Sequence, residues 1–430
     1  MMTYEEAVKT IDSLLVFGSR PGLERISEFV SRIGSPDKKL RFVHVAGTNG
    51  KGSTCSLIAA ALSSAGYKTG LFISPYVLEF RERFMINGEM IPEEVLAEIV
   101  EELIPVADQM KSEGKIITEF EFVFACALVW YARENCDMVV LETGLGGRFD
   151  ATNIISDPLV TVITSISLDH TAILGDTYAK IAFEKCGIIK KGCTVVAYAD
   201  QEKEAMDVIR STAAERGCRL LVADASGAEI IRSGIDGTEF AIDTPGGSFT
   251  LGIRLIGSHQ VRNSVTALYA LSALRDRGLS IPDSAVKDGF ASVSFPARLE
   301  LLGEKPLILL DGAHNPGGTA SLAAAIRAYL PDVRKVGIVG MLADKDVSGA
   351  LSGLLPLFDA VVTTEPDNPR KMSSGELAEI ARSYCPDVIE ASSHKDALEK
   401  AISLTGGNDA LIVFGSLYLA SDMRKLILEL

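Results

Sequence analysis

Several common signatures are missing from this chain, and each absence narrows what it can be. Its seven cysteines (Cys55, Cys126, Cys136, Cys186, Cys193, Cys218 and Cys385) form no Cys-x-x-Cys pair and no zinc-like spacing. Reduced, mostly buried thiols in a cytosol are therefore expected rather than a disulfide or zinc framework. The longest apolar run, Phe122 to Ala132, is too short to span a bilayer and fits a core helix. Met1-Met2-Thr3-Tyr4-Glu5-Glu6 is acidic and lacks an apolar core, so no secretory leader is expected. Positive charge is in deficit: a net charge of −15 argues against nucleic acid or an anionic membrane as the main partner. It still permits an anionic small substrate, because a local cradle can be positive on an acidic protein. There is no internal repeat and no low-complexity segment.

What is present is a globular chain. Its 430 residues, 47% hydrophobic and 23% charged, can bury a large core and divide into two or three domains. The organising stretch is Val43-His44-Val45-Ala46-Gly47-Thr48-Asn49-Gly50-Lys51-Gly52-Ser53-Thr54. A β-branched apolar run leads into three glycines around one lysine, and an apolar helix-like run, Leu57 to Leu62, follows. This is the layout of a phosphate cradle. Glycines let backbone N–H groups turn toward an anion, and the helix N-terminus adds partial positive charge. Lys51 is placed to reach the terminal phosphates, and Ser53 or Thr54 to face a metal. The spacing departs from the common G-x-x-x-x-G-K-S/T pattern: Val45 stands five before Gly50, and Gly52 separates Lys51 from Ser53. An ordinary glycine turn is the competing reading, and the combination of strand, three glycines and lysine weighs against it.

Read in order, residues 4–33 carry two helical stretches separated by Pro21-Gly22. The cradle strand and helix occupy about 41–66, with Gly66 as a stop, and Thr69 to Ser74 is a second strand ended by Pro75. Pro75 to Asn87 reads as a loop, either mobile and functional or merely surface. Helices are expected over 92–113 and 118–135, the second capped by Thr118 with Glu121 three residues on. A strand at 137–142 ends in Glu142, and a glycine loop follows to Asn153. A strand at 159–166 leads to Asp169-His170, followed by a helix near 176–187, a strand at 194–198 and a helix at 202–216. Residues 228–255 suggest a small antiparallel hairpin around Pro245-Gly246-Gly247. A helix near 259–276 carries His259, Gln260 and Asn263, and Pro282 opens another. Ser294 to Arg298 is the expected linker. After it come strands at 307–311, 336–342, 360–364 and 410–414, with helices at 317–329, 373–383, 394–404 and the C-terminus. The expected fold is α/β: a P-loop-type, mostly parallel sheet domain over 1–295, then a smaller Rossmann-like α/β domain over 296–430.

In open parallel sheets ligands sit outside the carboxyl ends of the strands. The polar clusters fall there: the cradle, Ser74, Glu142 and Asp169-His170. Glu142, after four apolar residues, reads as an acid that holds Mg²⁺ beside a cradle, with a Ser hydroxyl and nucleotide oxygens completing an oxygen shell. A surface ion pair is the competing reading. His170 is weak alone, since imidazole is an uncommon Mg²⁺ ligand. Lys185, between Glu184 and Cys186, reads by itself as an exposed lysine, and Arg298 could reach across a cleft. Asp311-Gly312-Ala313-His314-Asn315-Pro316-Gly317-Gly318 ends one strand and opens a helix, so it could bind an anion or a ribose. It lacks G-x-G-x-x-G, and the plainer reading is a βα turn capped by Asn315.

Nine motifs in order, covering nearly the whole chain, resemble the folylpolyglutamate synthase/dihydrofolate synthase family of Mur-type ligases. They are His44 to Ser53; Ser74-Pro75 with Glu82-Arg83 and Ile86-Asn87-Gly88; Leu141 to Gly147 with Asp150 and Thr152-Asn153; Leu168-Asp169-His170 with Leu174-Gly175; Lys185 before Gly187-Ile188-Ile189; His259-Gln260 with Asn263; Pro296-Ala297-Arg298; Asp311 to Asn315; and Phe414-Gly415-Ser416. The resemblance implies an ATP-dependent ligase that phosphorylates a folate or dihydropteroate carboxylate, then joins it to L-glutamate with release of ADP and phosphate. It implies that Lys51 and Gly47, Thr48, Asn49, Gly50, Gly52 and Ser53 hold the phosphates. It places one Mg²⁺ on Ser74 and Glu142 and another on Glu142 and His170, with Lys185 carbamylated near the second. It further implies nucleotide contacts from Asn263, Arg298 and Asp311. His314 and Ser416 match positions near the glutamate site, and Lys51, His170, Lys185 and His314 match catalytic positions. The loop from Pro75 and the helix start at Thr118 resemble pterin-side elements, and nothing is transferred to residues 219–255. Two other readings stay open. A sister ligase acting on a peptidoglycan precursor or another carboxylated cofactor would use the same chemistry, although the Leu141 to Asn153 pattern favours folate. A nucleotide-binding module without catalysis would not need Glu142, His170 and Lys185 together. Small-molecule substrates, no nucleic acid or membrane partner, and a cytoplasmic monomer are expected.

Overall fold

The computed structural model describes residues 2–17 and 22–430. Phe42–Ala46 lies at the middle of an eight-stranded sheet, where both faces of the strand are covered and all five residues are buried. Across this sheet the strands run Glu89–Met90, Phe84–Ile86, Thr69–Phe72, Met138–Glu142, Phe42–Ala46, Val160–Ile163, Thr194–Tyr198 and Arg219–Ala223. The last six are parallel, and the first two close one edge as an antiparallel hairpin. Successive side chains point to opposite faces. Thus Val139 and Leu141 pack with Phe72, Phe122 and Phe124 on one side. Val43, Val45 and Val140 pack with Leu57, Val265 and Phe290 on the other. Both faces are apolar because helices cover both, so these strands are continuous hydrophobic runs rather than alternating ones.

Register decides where the strands end. Val45 pairs with Glu142 and Ala46 with Ile163, so the carboxyl ends of the parallel strands reach one edge together. The helix Glu119–Arg133 is buried over most of its length, and its Thr118 N-cap forms a capping box with Glu121 as expected. A second sheet of six strands runs Glu300–Glu304, Leu307–Leu310, Ala410–Phe414, Lys335–Val339, Ala360–Thr363 and Val388–Glu390. It is parallel except at its first strand.

Several expectations need correction. The strand expected over 159–166 stops at Ile163, because Thr164 and Ser165 leave the ladder to brace the cradle. Pro75 to Asn87 is not a featureless loop. It contains a 3₁₀ turn at Phe80–Arg83 and the sheet strand Phe84–Ile86. The Glu82 carboxylate gathers this segment by accepting the N–H groups of Val77, Leu78 and Glu79 at 2.8, 2.9 and 3.1 Å. The expected hairpin is a three-stranded sheet, Glu229–Gly234, Gly237–Thr244 and Gly247–Ile253. Its first strand escaped notice because it is solvent-exposed along nearly its whole length and so carries no burial pattern. Glu300–Glu304 was hidden by a bulge that shifts its register between Leu301 and Gly303. The helix Val347–Ser352 and the strand Val388–Glu390 are too short for a periodic signal. Pro21, read as a helix break, lies outside the described residues.

Candidate active site

Gly47 leaves the central strand, and the turn that follows is held from the neighbouring strand. Thr48 N–H donates to Ser165 O at 2.8 Å, and the Thr48 hydroxyl donates to Ser167 O at 3.1 Å. The helix Lys51–Ser64 begins after Gly50, whose φ is +81° and which offers no side-chain cap. Its first N–H groups therefore keep their capacity to bind an anion. Gly50 is needed twice over: L side chains rarely adopt that φ, and a Cβ there would lie 2.5 Å from Asn263 Oδ1. Gly52, the residue that breaks the common spacing, has its own reason. A Cβ at this position would sit 3.0 Å from the Phe295 ring and 3.5 Å from Glu142 Oε2.

Three charged groups stand on this wall. Lys51 Nζ lies 3.8 Å from Glu142 Oε1 and donates to Thr48 O at 3.2 Å. Glu142 Oε2 accepts the Ser74 N–H at 3.1 Å. Burial raises the Glu142 carboxyl above its ordinary range, against the pull of Lys51, the Ser74 N–H and Arg298. Lys185 is not an exposed lysine. It is 3% exposed, and its Nζ donates to Gly47 O at 2.7 Å. Burial, reinforced by the charge of Lys51, lowers its pKa to about 7.

The opposite wall belongs to the second sheet. Asp311 ends the strand Leu307–Leu310, and its carboxylate accepts the N–H groups of Leu299 and Ala313, each at 2.8 Å. Burial raises its carboxyl, while Arg298 opposes that shift. His314 Nδ1 bonds Gly312 O at 2.8 Å, and burial lowers its pKa to about 4. The ring is therefore neutral at pH 7, with Nδ1 as donor and Nε2 as acceptor. Asn315 caps the helix Pro316–Tyr329 by accepting Gly318 N–H at 2.8 Å. Asp169 and His170, at the end of the first sheet, meet this wall. Lys345 Nζ lies 2.8 Å from Asp169 Oδ1 and 3.1 Å from His170 Nε2. Burial would push the Asp169 carboxyl up, but Lys345 overrides it and holds it well below the usual carboxylate range.

One cleft, a cavity of about 200 Å³, is lined by Gly47 through Ser53, Ser74, Glu142, His170, Lys185, Asn263, Arg298, Asp311 and His314. Ser416 does not line it. Its hydroxyl accepts Leu419 N–H at 3.0 Å as the cap of Leu417–Leu428, and Leu417 takes the wall instead. Lys345 and the interdomain use of Asn315 were missed. No motif marks Lys345, and its role depends on a partner 176 residues away. Among the described residues no group of three or more His, Cys, Asp or Glu is gathered for a metal. That suits Mg²⁺, which takes one or two protein carboxylates and fills its shell with phosphate and water oxygens. The buried Glu142 carboxylate beside Ser74 is a fitting donor for it. His170 Nε2 would have to exchange Lys345 for a metal.

Comparison with known proteins bears on both walls. The family model described as Mur ligase middle domain matches residues 45–271, and that of the Mur ligase glutamate ligase domain matches residues 297–417. A dihydrofolate synthase/folylpolyglutamate synthase of Bacillus subtilis (strain 168) is 36% identical over 435 residues, 98% of this chain and 98% of that one. The folylpolyglutamate synthase of Mycobacterium tuberculosis, solved in complex with ADP, superimposes with a TM-score of 0.90 at 31% identity over 99% of each chain. Escherichia coli FolC, solved in complex with DHPP and ADP, superimposes with a TM-score of 0.86 at 31% identity over 98% of this chain and 97% of that one.

Proposed function

The chain belongs to the folylpolyglutamate synthase/dihydrofolate synthase family of Mur ligases, and on that premise we propose how its cleft works. It is an ATP-dependent ligase that joins L-glutamate to a folate or to dihydropteroate. The observation that carries the detailed reading is that Lys51, Glu142 and Lys185 on one wall face Arg298, Asp311 and His314 on the other. We assign residues 1–295 to an ATP-binding domain and 296–430 to a glutamate-ligase domain.

A carboxylate is a poor acyl donor until its oxygen becomes a leaving group. A substrate carboxylate oxygen attacks the γ-phosphorus of ATP, and ADP departs, leaving an acyl phosphate. The amine of L-glutamate then attacks the acyl carbon, and the tetrahedral intermediate expels phosphate. The backbone N–H groups of Gly47–Ser53 and the Lys51 ammonium hold the transferring phosphates, where fixed dipoles act most strongly in a dry cleft. Asn263, Arg298 and Asp311 contact the nucleotide. Neutral His314 offers Nε2 to the incoming amine. The Ser416 hydroxyl accepts Leu419 N–H as a helix cap and keeps its own O–H to donate toward the glutamate site. Ser74 and Glu142 would hold one Mg²⁺, and a second would fall to Glu142 and His170 once His170 Nε2 gives up Lys345. Bound Mg²⁺ supplies charge neutralisation of the phosphates.

Lys185 is proposed as a carbamylated residue. Carbamate formation needs a neutral amine and CO₂, and an ammonium with a pKa of about 7 yields that amine near neutral pH. One chain supplies both walls, which supports a monomer as the working unit. All seven cysteines are free and no helix among the described residues can cross a membrane, which is compatible with a cytoplasmic location. The test is ADP release measured with Mg²⁺ against dihydropteroate, mono- and polyglutamylated folates, each with and without L-glutamate. Glutamate-dependent release with any of these is expected. Release that is indifferent to both glutamate and folate would overturn the assignment.

A further inference from the structure

Lys345 is delivered from the second sheet by a braced turn. Val347 N–H donates to Lys345 O at 2.9 Å, Lys345 N–H to Leu342 O at 3.3 Å, and Asp346 caps the helix that follows. Its side chain is 7% exposed and that of Asp169 is 11% exposed, so this ion pair is removed from water although its partners belong to different sheets. Asp169 is engaged on both oxygens. Oδ1 takes Lys345 and its neighbour's His170 N–H at 2.8 Å, and Oδ2 takes Asn315 Nδ2 at 3.0 Å. Asn315 in turn exchanges amide hydrogen bonds with Asn49 at 3.2 and 3.3 Å, two residues before the cradle lysine. The network is continuous from the phosphate cradle through Asn315 and Asp169 to Lys345.

We propose that Lys345 is a positioning residue whose pairing with Asp169 clasps the two walls shut, coupling an occupied cradle to a closed cleft. A carboxylate and an ammonium that pair in a dry interface lose most of their interaction when the interface opens and water enters. The clasp therefore favours one arrangement of the walls, the one in which donor and acceptor sites face each other. Its second arm ends on Asn49, so whatever draws the cradle residues onto a phosphate acts on the same network. Removing one partner of such a buried pair shifts a two-state opening equilibrium by about 10²-fold or more. The inference rests on the ligase reading only for its turnover measurement, since nucleotide binding and compaction do not require it.

The experiment compares Lys345→Met, Lys345→Arg, Asp169→Asn and the Lys345→Met/Asp169→Asn double variant with the parent. The readouts are ADP titration, small-angle X-ray scattering with and without a non-hydrolysable ATP analogue, and glutamate-dependent turnover. Lys345→Met is expected to lose the nucleotide-induced compaction, to lose about 10²-fold in kcat and, because coupling is reciprocal, to bind ADP about tenfold more weakly than the parent. Lys345→Arg should regain most of both, because the charge is kept. The double variant should be no worse than the single ones, since each breaks the same pair. Unchanged kcat and compaction in Lys345→Met overturns the clasp. So does an ADP affinity equal to the parent's, since a clasp coupled to the cradle must weaken nucleotide binding when it is cut, or additive losses in the double variant. If the parent turns over no folate, the ligase reading fails, while scattering and ADP titration still decide the clasp.

Discussion

Two strand–turn–helix junctions face each other across the cleft, and they use their polar groups in opposite ways. At the first, the helix Lys51–Ser64 starts from Gly50 with no side-chain cap. At the second, Asn315 caps the helix Pro316–Tyr329, Asp311 accepts two backbone N–H groups, and His314 Nδ1 donates to the Gly312 carbonyl. Pro316 at the first helical position has no N–H to offer. The first turn leaves its donors for a ligand, whereas the second spends them on itself and presents side-chain faces. Similar glycine-rich sequence thus yields an anion cradle in one place and a scaffold in the other. The plainer reading of Asp311 to Gly318, a turn capped by Asn315, describes its backbone, yet its side chains still line the cleft.

The contrast can be broken or sharpened by measurement. Lys51→Ala should cost the most, about 10²–10³-fold in turnover with a thermal midpoint close to the parent's, because it removes charge from the cradle and little packing. A variant that keeps its turnover would put the first turn on the same footing as the second. Gly50→Ala should weaken nucleotide binding by about 10–10²-fold in an equilibrium titration, since a strained φ and the contact with Asn263 add together. Asn315→Ala should cost about 1 kcal/mol of lost capping in chemical denaturation, because its oxygen caps its own helix, and should also lower turnover, because its amide links Asn49 to Asp169.

The smallest signal concerns charge state. Because burial lowers Lys185 to about 7, its amine becomes increasingly neutral as pH rises through neutrality. A ¹³C carbamate resonance from labelled bicarbonate should therefore grow between about pH 6 and about pH 8, and be absent in Lys185→Ala. A resonance that fades over that interval, or persists without Lys185, would contradict the carbamate.

Much of the architecture was legible because long buried strands and helices carry their own periodicity. Thr194–Tyr198, His394–Leu404 and Ala410–Phe414 lie where the pattern placed them. The exposed strand Glu229–Gly234 and the bulged Glu300–Glu304 were not legible, since neither shows alternating burial. In the site, glycines and strand-end acids announce themselves by type and spacing. Ser416 was read from its motif alone, and only the geometry reveals that its hydroxyl caps a helix and that Leu417 rather than Ser416 lines the cleft.

By itself the sequence determined the cradle, the acid after four apolar residues, and the two α/β segments, because each depends on neighbours close along the chain. The tertiary structure alone decided that Lys185 is buried against Gly47 O, that Gly52 must be small before Phe295, and that Lys345 reaches Asp169. Those facts depend on register and on which sheet edges meet. Burial then sets the energetic weight of each charge, and burial is a property of the packed molecule rather than of any stretch of chain.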